Sequence, residues 1–252
     1  MLEYWAKGCE SVAGHSKWAN IKHKKTKEDA KRGQIFTKLA RQITIATKEG
    51  GPDPDSNFKL RLAIDAAKSV NMPSDNIERA IQRGIGGLDG DNYEEVIYEG
   101  YGPNGVAIML QALTDNRNRT AGELRHRFSK HGGNLGESGC VAWMFDRKGL
   151  LVLEREGWDE DEVMLQALEA GADDVIVDQD VFEITTDPTV FAQVKQKLEA
   201  EGMKFAGAEL SWIPKSSVPI TPEQEASIEK LIDALEELDE VQEVYTNYEV
   251  QE

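Results

Sequence analysis

Two stretches of this chain concentrate side chains suited to binding a polyanion. The first is Gly14–Gly33, "GHSKWANIKHKKTKEDAKRG", where lysine or arginine fills seven of twenty positions: Lys17, Lys22, Lys24, Lys25, Lys27, Lys31 and Arg32. Such cations neutralise phosphates and release condensed counterions, which supplies much of nucleic-acid affinity. Trp18 adds a ring that can stack on a base, and His15 and Asn20 add groups that can hydrogen-bond to one. The competing reading is a solvated helix face with Trp18 anchoring a bundle. A run of lysines does not by itself separate the two.

The second stretch is Asp115–Gly133, "DNRNRTAGELRHRFSKHGG", carrying Arg117, Arg119, Arg125, His126, Arg127, Lys130 and His131. Arg117 and Arg119 stand at a loop-to-helix junction beside Asn116 and Asn118. Guanidinium forks match phosphate geometry and stack on bases, and a helix N-terminus adds backbone donors for anions. Alternatively, these arginines bridge acids on a neighbouring domain. Both readings stay open on sequence alone.

Catalytic chemistry finds little support. "RGIGG" lacks the Gly-Lys-Ser/Thr of a phosphate-binding loop and reads as a hinge. There is no HExxH and no nucleophile elbow. Cys9 and Cys140 are far apart and form no CxxC pair, so neither a disulfide framework nor a metal site is indicated. All four histidines lie within or beside the basic stretches, which suits contact residues better than general bases. "DEDE" and "EELDE" read as solvated helix termini. The expectation is a protein that is not an enzyme, with no cofactor and no metal.

Charge placement sharpens the polyanion reading. The 252 residues carry 29 Lys+Arg against 46 Asp+Glu, a net charge of −17. Gly14–Gly84 holds 15 basic against 8 acidic residues, whereas Ile85 onward holds 13 against 36. A basic module is thus joined to an acidic body that polyanions should avoid. No apolar run is long enough for a membrane span. The first residues lack a secretory pattern, and the cysteine usage fits a reducing compartment. A cytoplasmic protein is expected.

The elements that must position these residues follow from periodicity. Residues 1–13 read as an extension. "QIFTKLARQITIATKEGG" places Ile35, Leu39 and Ile43 at helical spacing, with Phe36 and Ala40 alongside, and stops at Gly50-Gly51. "NFKLRLAIDAAKSVNM" reads as a helix capped by Asn57, with Phe58, Leu62 and Ala66 on one face. "MPSDNIERAIQRGIGG" reads as a short helix, and "GIGGLDGDN" as a linker. Residues 14–90 therefore form a basic helical domain. "EEVIYEGYG" and "GVAIMLQALT" read as strands joined by the turn "GPNG", then a helix, then a strand "GCVAWMF". Residues 147–214 follow in the order βαββαβ, the ferredoxin-like order. A last helix and strand lie in 215–252. The expected fold is α+β: an N-terminal helical bundle followed by two ferredoxin-like α/β sandwiches. One, 147–214, is inserted in the other, 91–146 with 215–252.

Three long segments carry a specific resemblance: "AGHSKWANIKHKKTKEDAKRGQIFTKLARQI", "GGPDPDSNFKLRLAIDAAKSVNMPSDNIERAIQRG" and "YEGYGPNGVAIMLQALTDNRNRTAGELRHRFSKHGGNLGESGCVAWMFDRKG". They resemble the YebC/PmpR family, from about Ala13 to the C-terminus. Val12 stands where the family pattern begins with Met, an expected alternative start. The resemblance implies three domains, one inserted in another, with no cofactor or catalytic residue. Members are commonly described as probable transcriptional regulators that bind promoter DNA. Related members, including the mitochondrial translational activator of cytochrome oxidase, act on translation at the ribosome.

The main expectation is a DNA-binding transcriptional regulator. Its contacts are Lys17, Trp18, Asn20, Lys22, Lys24, Lys25, Lys31 and Arg32, with a second surface of Arg117, Arg119, Arg125, Arg127 and Lys130. The alternative is a ribosome-associated translation factor using the same residues on ribosomal RNA. In either case the acidic domains could hold a protein partner. A pure interaction scaffold would show no salt-sensitive polyanion binding. Replacing Lys22, Lys24 and Lys25 by Glu is expected to weaken polyanion binding far more than altering acids within Glu223–Glu237. An unchanged affinity and salt slope in that triple variant would remove the N-terminal contacts.

Overall fold

The structure, a computed structural model, describes residues 17–86, 93–178 and 180–251, with 17–32 described as helix backbone only. The extension at 1–13, His15 and most of the linker at 87–92 lie outside the described residues.

Helix α1 (Lys17–Gly50) runs unbroken through Gly33 for 34 residues, about 50 Å at 1.5 Å per residue. The basic stretch and the apolar segment after it are therefore one helix. The chain leaves it at Gly51, whose φ of +88° suits glycine. Asn57 then starts α2 (Phe58–Ser69): its Oδ1 accepts from the Leu60 amide at 3.0 Å. Its Nδ2 donates to the carbonyls of Ala46 and Gly51 at 2.7 and 2.8 Å. One buried amide thus caps α2 and ties it to the end of α1.

That tether fixes the rotation of α2, and here the sequence expectation is corrected. Leu60, Ala63, Ile64 and Ala67 are buried, whereas Ala66 is exposed and Phe58 and Leu62 are half-buried. Both sets recur at helical spacing. Anchoring Asn57 turns the face three residues later, not the one beside it, toward α1. Helix α3 (Ser74–Gly86) closes the bundle on Ile43, Leu60, Met72 and Ile77. A Cβ at Gly84 would come within 2.6 Å of Thr47 Cβ and 2.7 Å of the Thr44 carbonyl. Gly84 lies inside α3 and permits its close approach to α1, so it is no hinge.

The remaining elements in chain order are β1 (Glu94–Tyr101), β2 (Ala107–Thr114), α4 (Arg117–Lys130), β3 (Asn134–Leu135), β4 (Phe145–Glu154), α5 (Glu160–Ala170) and β5 (Asp174–Val177). They continue with β6 (Val181–Thr186), α6 (Phe191–Ala200), β7 (Phe205–Pro214), β8 (Val218–Ile220), α7 (Pro222–Glu236), β9 (Val241–Thr246) and β10 (Tyr248–Val250). One four-stranded sheet has the order β3-β1-β2-β9, the other β5-β6-β4-β7, and β8 pairs with β10. The second order is that of a split βαβ repeat. The architecture is α+β, a helical region followed by antiparallel sheets.

Two compact units contain these elements. One comprises His23–Phe145 with Glu223–Thr246; the other includes Asp146–Pro222 and the segment from Asn247. In the first, the strand expected at "GCVAWMF" is absent. Ala142–Met144 is a turn of 3-10 helix, and the edge strand is the two-residue β3 instead. The cause is Glu99, which is 4% exposed. Its carboxylate accepts from the amides of Gly139, Val141 and Ala142 at 2.6, 2.8 and 2.7 Å. Those amides cannot also join a ladder.

Glu99→Ala would leave these donors unpaired, at roughly 1–3 kcal/mol for each one that stays buried. A lowered urea midpoint is expected, with a smaller loss for Glu99→Gln, which retains an acceptor. An unchanged midpoint in Glu99→Ala would show that water replaces the carboxylate.

Candidate nucleic-acid interface

The two basic stretches differ in how much of their charge the fold uses. In α4, Asn116 caps the helix by accepting from the Arg119 amide at 3.1 Å, and Leu124 and Phe128 anchor it in the core. Arg117 forks onto Glu94 of β1, with Nε–Oε1 at 2.7 Å and Nη2–Oε2 at 2.6 Å. The hydrogen bonds from Arg117 hold the Glu94 carboxyl below its ordinary value, and the same bonds raise the guanidinium. Arg119 pairs with Asp115 and, at 3.1 Å, with Glu240. Arg127 lies 3.5 Å from Glu237. The bridged acids belong to the same compact unit as α4.

Arg125 and Lys130 are different: both are exposed, and neither makes an ion pair with a described residue. His126 is also exposed and His131 half-buried. At 100° per residue, Asn118, Arg125 and Ser129 share one stripe of α4, well away from Leu124. Fewer cations of α4 are therefore left unpaired than its sequence suggests.

Cations in the second half of α1 are also partly consumed. Gln34 Nε2 donates to the Glu237 carbonyl at 2.7 Å, Lys38 Nζ to that of Glu236 at 2.6 Å, and Arg41 to that of Asp239. Together they satisfy the carbonyl end of α7, where positive charge is favoured. "EELDE" is thus the receptor for these donors and for Arg119 and Arg127, which corrects its reading as a solvated terminus. Farther up α1, positions 17, 24 and 31 recur every seven residues and fall on one side of the helix. The side chains of Lys17, Trp18, Asn20, Lys22, Lys24, Lys25, Lys31 and Arg32 lie outside the described residues.

One residue escaped the sequence reading. Trp143 is 65% exposed. Its Nε1 donates to the Cys140 carbonyl at 3.1 Å, which also accepts from the Tyr101 hydroxyl at 3.1 Å. Glu99 fixes the backbone of the same loop, so the indole is held outward. The signal lay far off, in Glu99, because "GCVAWMF" itself has the composition of a strand. Beside it, burial and then the Glu99 charge push the Cys140 thiol up, which disfavours the reactive thiolate. Among the described residues, no cluster of three His, Cys, Asp or Glu could hold a metal. No described helix is long and apolar enough to cross a membrane.

Comparison with known proteins places this architecture. Residues 16–87 match the TACO1/YebC protein N-terminal domain, and residues 93–248 match the TACO1/YebC second and third domain. The chain belongs to the TACO1/YebC family. It is 57% identical over 242 residues to a protein of Clostridium tetani, covering 96% of this chain and 98% of that one. It is 56% identical over 242 residues to one of Halothermothrix orenii, covering 95% and 96%. Both are named "Probable transcriptional regulatory protein". A crystal structure of a conserved hypothetical protein from Aquifex aeolicus superposes with a TM-score of 0.85 at 51% identity, covering 94% of this chain and 98% of that one.

The Glu94–Arg117 fork has a measurable pH signature. A depressed carboxyl pKa means that any stabilisation by the fork is complete above the ordinary value of 4.5 and is lost as pH falls through the lowered one. Carboxyl-carbon NMR is expected to show Glu94 titrating below 4.5, and titrating higher in Arg117→Gln. Identical titrations in the two proteins would show that the fork is not populated in solution.

Proposed function

We propose that this protein is a non-enzymatic, cytoplasmic transcriptional regulator that binds duplex DNA through the first half of α1. The observation that carries this reading is the placement of seven cations between Lys17 and Arg32 on one uninterrupted helix of an otherwise acidic chain. Those sixteen residues span about 24 Å, roughly two-thirds of a duplex turn, so a single helix segment can follow several phosphates. Arg125 and Lys130 supply a second, smaller contact on α4. The names borne by its relatives support the regulatory role.

A second reading, binding ribosomal RNA as a translation factor, is favoured by Trp143. An exposed, fixed indole suits an unstacked base, which folded RNA offers and intact duplex does not.

The deciding experiment compares a promoter-length duplex, an unrelated duplex and purified ribosomes across a salt titration. Duplex binding with at least tenfold sequence preference, ~1.4 kcal/mol, is the expected result. Tight ribosome binding with weak, sequence-indifferent duplex binding would instead establish the second reading. In the same assay, Arg125→Gln with Lys130→Gln is expected to flatten the salt slope by about 2, and Arg117→Gln to leave it nearly unchanged.

A further inference from the structure

Helix α5 is apolar on two sides. Val163, Ala167 and Ala170 are buried against its own unit. On the far side, Met164, Leu165 and Leu168 are 37%, 59% and 55% exposed. Taking 100° per residue, these three fall within an arc of about 100°, roughly opposite the buried set. A helix with one core face normally turns polar residues outward. Three large apolar side chains grouped on the outer side of an eleven-residue helix mark a surface that something covers.

The surrounding charge identifies the occupant. Gly157–Asp174 contains seven acidic residues and no lysine or arginine. Glu160 is paired with Arg155, and Asp173 with Lys148. Asp161, Glu162 and Glu169 have no paired cation among the described residues; Glu162 and Glu169 border the stripe along one side, and Asp161 lies at its N-terminal end. A second copy meeting it α5 to α5 would bring the same carboxylates against these, and an anionic lipid surface would meet the same repulsion. A cationic partner is attracted by them.

We propose that the outer face of α5 docks a basic amphipathic helix of a protein partner, with Met164, Leu165 and Leu168 receiving its apolar side chains and the flanking acids pairing with its cations. An amphipathic helix is recognised here through its apolar face, with apolar anchors giving affinity and rim charges giving selectivity. The stripe shares no residue with either basic stretch, and the proposal stands whether or not the protein binds nucleic acid.

The test uses the full chain and three labelled peptides of about 14 residues, or four helical turns, with leucine at helical spacing and Lys, Gln or Glu at every other position. Fluorescence anisotropy is expected to show binding in the order Lys, Gln, Glu. Leu165→Gln with Leu168→Gln is expected to weaken the Lys peptide at least tenfold. That variant keeps every acid, so it separates docking at the stripe from general attraction to an acidic protein. Both positions are exposed, and circular dichroism would verify that the fold is retained. Equal binding of the Lys peptide by wild type and variant would overturn the proposal, as would no preference among the three peptides. A wild-type dimer in sedimentation velocity that the variant abolishes would instead assign the stripe to a second copy.

Discussion

The turn from Glu236 to Glu240 holds the first compact unit together. It closes α7, whose last carbonyls need donors, and leads into β9, which pairs with β2 in a register from Ile108↔Thr246 to Ala112↔Val241. Acids at a helix C-terminus oppose the helix dipole, so Glu237, Asp239 and Glu240 would be unfavourable there alone. The fold supplies the missing charge from elsewhere in the chain. Gln34, Lys38 and Arg41 donate to backbone carbonyls, while Arg119 and Arg127 meet carboxylates. The turn therefore joins α1, α4 and the central sheet, and its strand β9 arrives only after Asp146–Pro222 of the other compact unit has been traversed.

The same turn divides the cations by role. Each exposed ion pair is worth little, but a cation held by carboxylates or carbonyls must give up those contacts to reach a phosphate. Arg117, Arg119, Arg127, Lys38 and Arg41 serve the fold in this way. Net charge from sequence cannot make this distinction, because an arginine that caps a helix and one that grips a phosphate look alike in a composition count. Arg125 and Lys130 keep their charge on exposed positions of α4, so the unpaired positive charge of this helix depends on position more than on the number of arginines.

What could be read in advance follows from the range of the interactions. The βαββαβ order was legible because each element carries its own period, and Asn57 because capping is local. Gly51 was legible for the same reason. The face of α2 was not, since two apolar sets share the helical spacing and only the reach of Asn57 to Ala46 and Gly51 selects between them. "GCVAWMF" has the composition of a strand. Its backbone donors are claimed by Glu99, some forty residues earlier in the chain, which no local pattern announces. The arginine pairs failed to be legible for the same reason: their partners at Glu94, Glu237 and Glu240 are distant in sequence.

The basic helix and the apolar stripe obey different physics. Attraction between lysines and phosphates is long-ranged, falls steeply with salt and is largely indifferent to base sequence. An apolar stripe such as Met164–Leu168 acts only at contact, is little weakened by salt and discriminates by shape. Lysine–phosphate contacts therefore hold a polyanion without choosing among its sequences, and any preference comes from groups that reach base edges. If a regulator of this construction acts selectively, a short-range surface must add to that choice. The acid-flanked face of α5 has the properties required, since its carboxylates disfavour the polyanion while its leucines select a basic partner.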